Sequence, residues 1–195
     1  YLPESGYGPE VKPAVQRVAP EPETSVELSH DLPRTPMRQV EYAGIAVAEA
    51  RRGEFVHAVL AAIEYAEPDI EARLAKAMER SLVRISFETD PIQLRSVLLS
   101  VIALSDLRPY FLKSEGRHIL NEQEFAGPDG ALVRMDRVVV DPGTVTVIDY
   151  KTGEEKHDYT EQVLKYMKIL RSYYADRAVR GLLVYTDQKL VRTVS

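Results

Sequence analysis

The chain contains no cysteine. That excludes disulfides, cysteine-ligated zinc and iron–sulfur clusters, and it fits a reducing, cytoplasmic setting. Histidine is also scarce, at four residues: His30, His57, His118 and His157. A metal site must therefore lean on carboxylates, which favours hard cations such as Mg²⁺ or Mn²⁺. No apolar run approaches the ~20 residues that a membrane span requires, and the first 20 residues are polar and Pro-rich, without a secretory leader pattern. Excess positive charge is missing as well. The formal net charge is −5, whereas a self-sufficient nucleic-acid-binding module is usually basic. That weighs against a stand-alone DNA-binding module but leaves room for an enzyme that meets nucleic acid through bound cations or a partner domain.

What is present is enough for one domain. Of 195 residues, 45% are hydrophobic and 28% charged, a balance that supports a packed core. Seven of the 12 prolines fall within residues 1–36, so residues 1–40 read as a Pro-rich linker or tail and residues 41–195 as the folded domain. The chain opens on Tyr1 rather than Met, which reads as a piece of a longer protein.

The pattern predicts a helical start and a mixed sheet. Val56, Val59, Leu60 and Ile63 form an i, i+3, i+4, i+7 stripe in a helix over 41–66. A second helix is expected over 69–85, with Asp69 as its cap. A third is expected over 91–104, with Pro91 at its start. Residues 117–125, 131–140 and 144–151 read as three strands joined by the turns Gly127-Pro128-Asp129-Gly130 and Asp141-Pro142-Gly143. A helix over 159–174, a strand over 180–186 and a short strand over 189–194 follow. The last crossover is long enough for a parallel connection. The predicted fold is α/β: an αβββαβ core with a central mixed β-sheet flanked by helices, and a helical part at the N-terminal side.

The chemistry gathers around residues 147–153, VIDYKTG. Strand alternation places Val145, Val147, Asp149 and Lys151 on one face. Alone, Asp149 and Lys151 would be a surface pair worth ~0–1 kcal/mol. Asp136, however, interrupts an apolar run in the preceding strand. It lies six positions before Pro142, and Asp149 seven after, so the turn can make the two carboxylates cross-strand neighbours. Side by side they repel unless something cationic lies between them, and a divalent cation would serve.

Asp136 followed by Asp149-Tyr150-Lys151 resembles the Asp…(Asp/Glu)-x-Lys core of the PD-(D/E)XK nucleases. Arg52-Gly53-Glu54-Phe55-Val56-His57 is similar to the RG-x-x-x-H helix of RecB- and AddA-type nuclease domains, Glu122-Gln123-Glu124-Phe125 to their E-x-x-F strand, and Gln162 to Tyr166 to their Q-x-x-x-Y helix. The likeness is strongest to C-terminal nuclease domains of UvrD-like helicases and spans about residues 44–192. Met135 stands where the family name has Pro, and Val133 where many relatives have Gly.

The resemblance implies a restriction-endonuclease-like fold and a Mg²⁺- or Mn²⁺-dependent DNA nuclease. Its expected substrate is single-stranded DNA, cut exonucleolytically and delivered by helicase domains that bind the ATP, in repair or recombination. It implies His57, Asp136, Asp149 and the backbone carbonyl of Tyr150 as metal ligands. Lys151 would attend the water and phosphate, and Glu122 a metal-bound water or second cation, with Glu124 as its competitor. Gln162 and Tyr166 would line the site and touch DNA or orient Lys151. Gly53 would leave room for a phosphate or metal beside His57. Two other readings stand beside this one: a non-catalytic DNA-binding or scaffold domain that retains the nuclease fold, and an α/β interaction module whose charges are surface pairs.

Overall fold

The computed structural model describes residues 37–86 and 88–195. The Pro-rich segment read as a linker lies, through residue 36, outside the described residues, as does His30. Three helices come first: α1 (Met37–Ala61), α2 (Ile70–Arg84) and α3 (Pro91–Ile102). A 3₁₀ turn at Arg108–Phe111 leads to β1 (His118–Ala126), β2 (Leu132–Val140) and β3 (Thr144–Lys151). Then come α4 (His157–Tyr173), β4 (Ala178–Tyr185) and β5 (Leu190–Val194).

The strands form one sheet in the order β1-β2-β3-β4-β5. Three pairings are antiparallel, and β3–β4 is parallel through the α4 crossover. The expected α/β fold, with a mixed sheet flanked by helices, is the one found. Helices cover both sheet faces, which is why β3 is buried at almost every position rather than at alternate ones. Ile148 and Tyr150 pack toward α1, α2 and α3. Val145 and Val147 pack toward α4. Close contact with α4 depends on Gly181: a Cβ there would come within 2.5 Å of Val163 Cγ1.

Local chemistry sets the helix ends. Asp90 accepts from the amides of Ile92 and Gln93, and Pro91 follows it, so α3 starts where expected. Asp69 departs from expectation. Its side chain makes no capping bond, and its backbone is left-handed (φ 57°), a conformation Asp tolerates better than most residues. Leu164 also departs. Its helical spacing with Val163, Met167 and Leu170 suggests the sheet side of α4, yet it is 38% exposed, while Tyr166 and Ile169 take part in that core.

α1 stops at Ala61 rather than running to 66 because its end is tied to the sheet. Asn121 of β1 donates to the Ala61 carbonyl at 2.8 Å. Arg137, its cross-strand partner on β2, is fully buried. It donates to the carbonyls of Ile63 (3.0 Å), Glu64 (2.7 Å) and Tyr110 (2.9 Å) and to Asn121 Oδ1 (3.1 Å). Its guanidinium also sits 4.1 Å from the centre of the Phe111 ring. One rung of the sheet thus fixes where α1 ends, and with it the height of His57.

Replacing Arg137 by Met should leave several buried carbonyls unpaired and cost roughly 2–4 kcal/mol. Urea denaturation measures this. A loss below about 1 kcal/mol would show that the guanidinium is not the anchor.

Candidate metal centre and the lysine beside it

β3 lies between β2 and β4, and its carboxyl end carries Asp149 and Lys151. Asp149 is 2% exposed. Lys151 Nζ lies 2.8 Å from Asp149 Oδ2, donates to Gln162 Oε1 at 2.9 Å and sits 4.7 Å from the centre of the Tyr159 ring. Gln162 Nε2 in turn donates to the Tyr166 hydroxyl. Carboxylate, amide and aromatic face therefore hold one ammonium group, a geometry suited to its three donors. Gln162 thus touches the Lys151 ammonium directly, and Tyr166 touches Gln162. Burial, and next the charge of Asp149, push the Tyr166 hydroxyl up to about 12, so it stays protonated.

Asp136 reaches the site through an irregular rung. The β1–β2 ladder pairs Asn121 with Arg137 and Gln123 with Met135, and leaves out Glu122 and Asp136 between them. The β2–β3 ladder likewise stops at Arg137–Ile148. Glu122 has φ 50°, a costly value for a non-glycine residue that tends to mark functional positions. Side-chain alternation slips at this rung: Leu120 and Phe125, five residues apart, both join the α4-side core, as do Met135 and Val138. Free of the ladder, Asp136 accepts from the Tyr150 amide through Oδ2 at 2.8 Å. Its Oδ1 lies 3.3 Å from His57 Nδ1. By register Asp136 falls opposite Asp149, but the contact it makes is to the next residue's backbone.

Among the described residues, His57, Glu122 and Asp136 form a group whose ligand atoms all lie within 4.8 Å of one another. Glu122 Oε2 meets Arg134 Nε at 2.9 Å, and its Oε1 is buried without a hydrogen-bond partner. Two carboxylates, one of them with an orphaned oxygen, and an imidazole fit a hard divalent cation. Asp149 stands outside this trio with one oxygen against Lys151. The Tyr150 carbonyl belongs to the residue whose amide Asp136 engages. Glu124, the competitor of Glu122, is exposed and is not part of the group.

Electrostatics describe a site with too little positive charge. Burial, and next the charge of Asp136, raise Asp149 to about 6. Burial and Asp136 also raise Glu122, against the pull of Arg134. Burial works to lower His57, but the hydrogen bond and charge of Asp136, helped by Asp149 and Glu122, raise it on balance.

Gly53 lies against the loop that follows Lys151. An added Cβ would lie 3.2 Å from the Thr152 hydroxyl, so the missing side chain admits the loop after Lys151. Sequence reasoning also missed the clasp beside it. Arg52 pairs with Asp187 through two hydrogen bonds, and Asp187 accepts from the Gly153 amide at 2.8 Å. Burial opposes ionisation of Asp187, but these partners keep its carboxyl below the usual range. Asp187 sits in a turn between strands and looked like an ordinary turn residue, so no local signal marked it.

A model of the PD-(D/E)XK nuclease superfamily matches residues 34–194. The chain belongs to that superfamily. Comparison with the curated proteins yields no match. Among solved structures, the chain is similar to an XisH family protein from Nostoc punctiforme: 13% identity over 42% of this chain and 90% of that one, TM-score 0.29. It is also similar to an fdxN element excision controlling factor protein from Anabaena variabilis: 12% identity over 51% of this chain and 99% of that one, TM-score 0.32. No described helix is long and apolar enough to cross a membrane.

The Asp149 value fixes the sign of a pH effect in metal-free protein. Its carboxyl holds its proton to about 6 when folded but only to about 3.9 when unfolded. The folded state therefore binds more protons between those values, and this contribution to stability is lost as pH rises through them. Asp149→Asn removes the penalty, so with EDTA at pH 8 it should be more stable than wild type by about 1–3 kcal/mol. The gap should close toward pH 4. Urea titrations at both pH values test this, and a variant less stable than wild type at pH 8 would contradict it.

Proposed function

We propose that this chain is a Mg²⁺- or Mn²⁺-dependent deoxyribonuclease that hydrolyses phosphodiester bonds. The observation that carries the reading is the meeting of His57, Glu122 and Asp136 at one irregular rung, joined through the Tyr150 amide to the strand that bears Asp149 and Lys151. His57, Glu122 and Asp136 hold the ion. Asp149 and the Tyr150 carbonyl complete the donor set, as the Asp…Asp-x-Lys motif implies. When bound, such an ion supplies Lewis-acid polarisation of phosphoryl oxygens and offsets charge on the leaving oxygen. Lys151 positions the attacking water and stabilises charge that builds on the phosphorus oxygens. Gln162, Tyr166 and Tyr159 hold its ammonium in place. The Arg52–Asp187–Gly153 clasp keeps the loop after Lys151 against α1, and so keeps Lys151 and His57 in register.

Within the superfamily we place the chain with the RecB- and AddA-type domains, on the ordered segments Arg52 to His57, Glu122 to Phe125 and Gln162 to Tyr166. In this reading it is an exonuclease on single-stranded DNA. It works in the cytoplasm in repair or recombination, and helicase domains deliver the strand and bind the ATP. The net charge of −5 supports delivery by a partner, because phosphate binding is dominated by cationic contacts.

Two variants separate catalysis from metal binding. Calorimetry should show Mn²⁺ binding to wild type and to Lys151→Ala, and none to Asp136→Asn. Lys151→Ala should hydrolyse a labelled single strand at least about 10²–10³-fold more slowly. No Mn²⁺ binding by wild type, binding unaffected by Asp136→Asn, or full-rate cutting by Lys151→Ala would each reject the reading. If metal binds but wild type leaves DNA intact, the scaffold alternative holds instead.

A further inference from the structure

A cleft of about 460 Å³ is lined by two members of the metal trio, His57 and Glu122, and by no residue of α4. Arg84 and Arg134 also line it, with Glu54 and Ser81. A second depression of about 300 Å³ shares Glu54 and Arg84 and adds Arg51. The two form a path along α1 and the end of α2, and Arg84 contributes to both.

The charge along this path is unlike that of the chain as a whole. Three guanidinium groups line it against the carboxylates of Glu54 and Glu122, in a protein of net charge −5. Arg134 is engaged with Glu122. Arg51 makes one long contact, 3.4 Å to the Ser86 carbonyl. Among the described residues Arg84 has no side-chain hydrogen bond or ion pair, and it is exposed. Planar forks of this kind match phosphate oxygens.

We propose that this path grips one flank of the single strand whose scissile phosphate lies at the trio, with Arg84 and Arg51 contacting consecutive backbone phosphates. The proposal rests on the nuclease reading and adds to it where the strand runs and which groups hold it. The cleft has the volume of a small-ligand site, so it admits a short stretch of strand and shuts out the body of a duplex. Phosphate contacts position the strand without reading its bases. The grip is therefore indifferent to sequence. Glu54 and Glu122 repel an approaching backbone, so the strand binds more tightly once a divalent cation offsets the inner carboxylates.

The test uses Lys151→Ala as a metal-binding, non-cutting background and measures anisotropy of a short fluorescein-labelled oligothymidylate with Mn²⁺ across a salt series. Adding Arg84→Ala should weaken binding about tenfold and reduce the salt slope by about 0.7, the value for one lost phosphate contact on a single strand. Arg84→Lys should retain most of the slope. Arg180→Ala, on β4 beside Thr146 and outside the lining of the path, should change neither. A blunt duplex of equal length should bind more weakly than the single strand. If Arg84→Ala matches its background, or if Arg84→Ala and Arg180→Ala weaken binding equally, the path lies elsewhere even when wild type cuts DNA. If the duplex binds as tightly as the single strand, the steric argument is wrong. Absence of any Mn²⁺-dependent cutting by wild type would instead remove the nuclease reading on which the proposal stands.

Discussion

Everything in the site follows from one rung of the sheet that does not close. At Asn121–Arg137 the strands are paired, and both side chains are spent on α1 and the 3₁₀ turn. At the next position Glu122 and Asp136 leave the ladder, and Glu122 takes a left-handed backbone. The closed rung fixes the helix that carries His57. The open rung releases two carboxylates to meet it. A regular β1–β2 ladder would send Glu122 and Asp136 to the α4 face with Leu120 and Val138, away from His57.

Charge then explains the division of labour. Burial, and next the charge of Asp136, raise the Asp149 and Glu122 carboxyls, and the three carboxylates raise the His57 imidazole against its burial. Lys151 answers part of that deficit, but it is already held by Asp149, Gln162 and Tyr159. Glu122 is left with a buried, unpartnered oxygen. This set of donors suits a small cation of high charge.

How much of this could be read from the chain depended on the range of the interaction. Strand alternation placed Asp149 and Lys151 together, and i, i+4 spacing placed Gln162 beside Tyr166. Counting from the Asp141-Pro142-Gly143 turn put Asp136 near Asp149. The open rung was invisible, because no residue in RMDRVVV signals a slip in alternation. The Arg137 anchor was hidden for a related reason: a charged residue inside a strand looks like a solvent-facing position until its carbonyl partners, up to 74 residues away, are in place. The Arg52–Asp187 clasp joins residues 135 apart. The approach of Thr152 to Gly53 is likewise distant in sequence. Each miss is a tertiary contact that leaves no periodicity behind.

The central claim is that the open rung and α1 together bind a divalent cation. Crystals grown with Mn²⁺ and measured at the manganese absorption edge test it most directly. The account predicts an anomalous peak in contact with carboxylate oxygens of Asp136 and Glu122 and with the His57 imidazole. Crystals with bound manganese elsewhere and no peak among these three residues would contradict it.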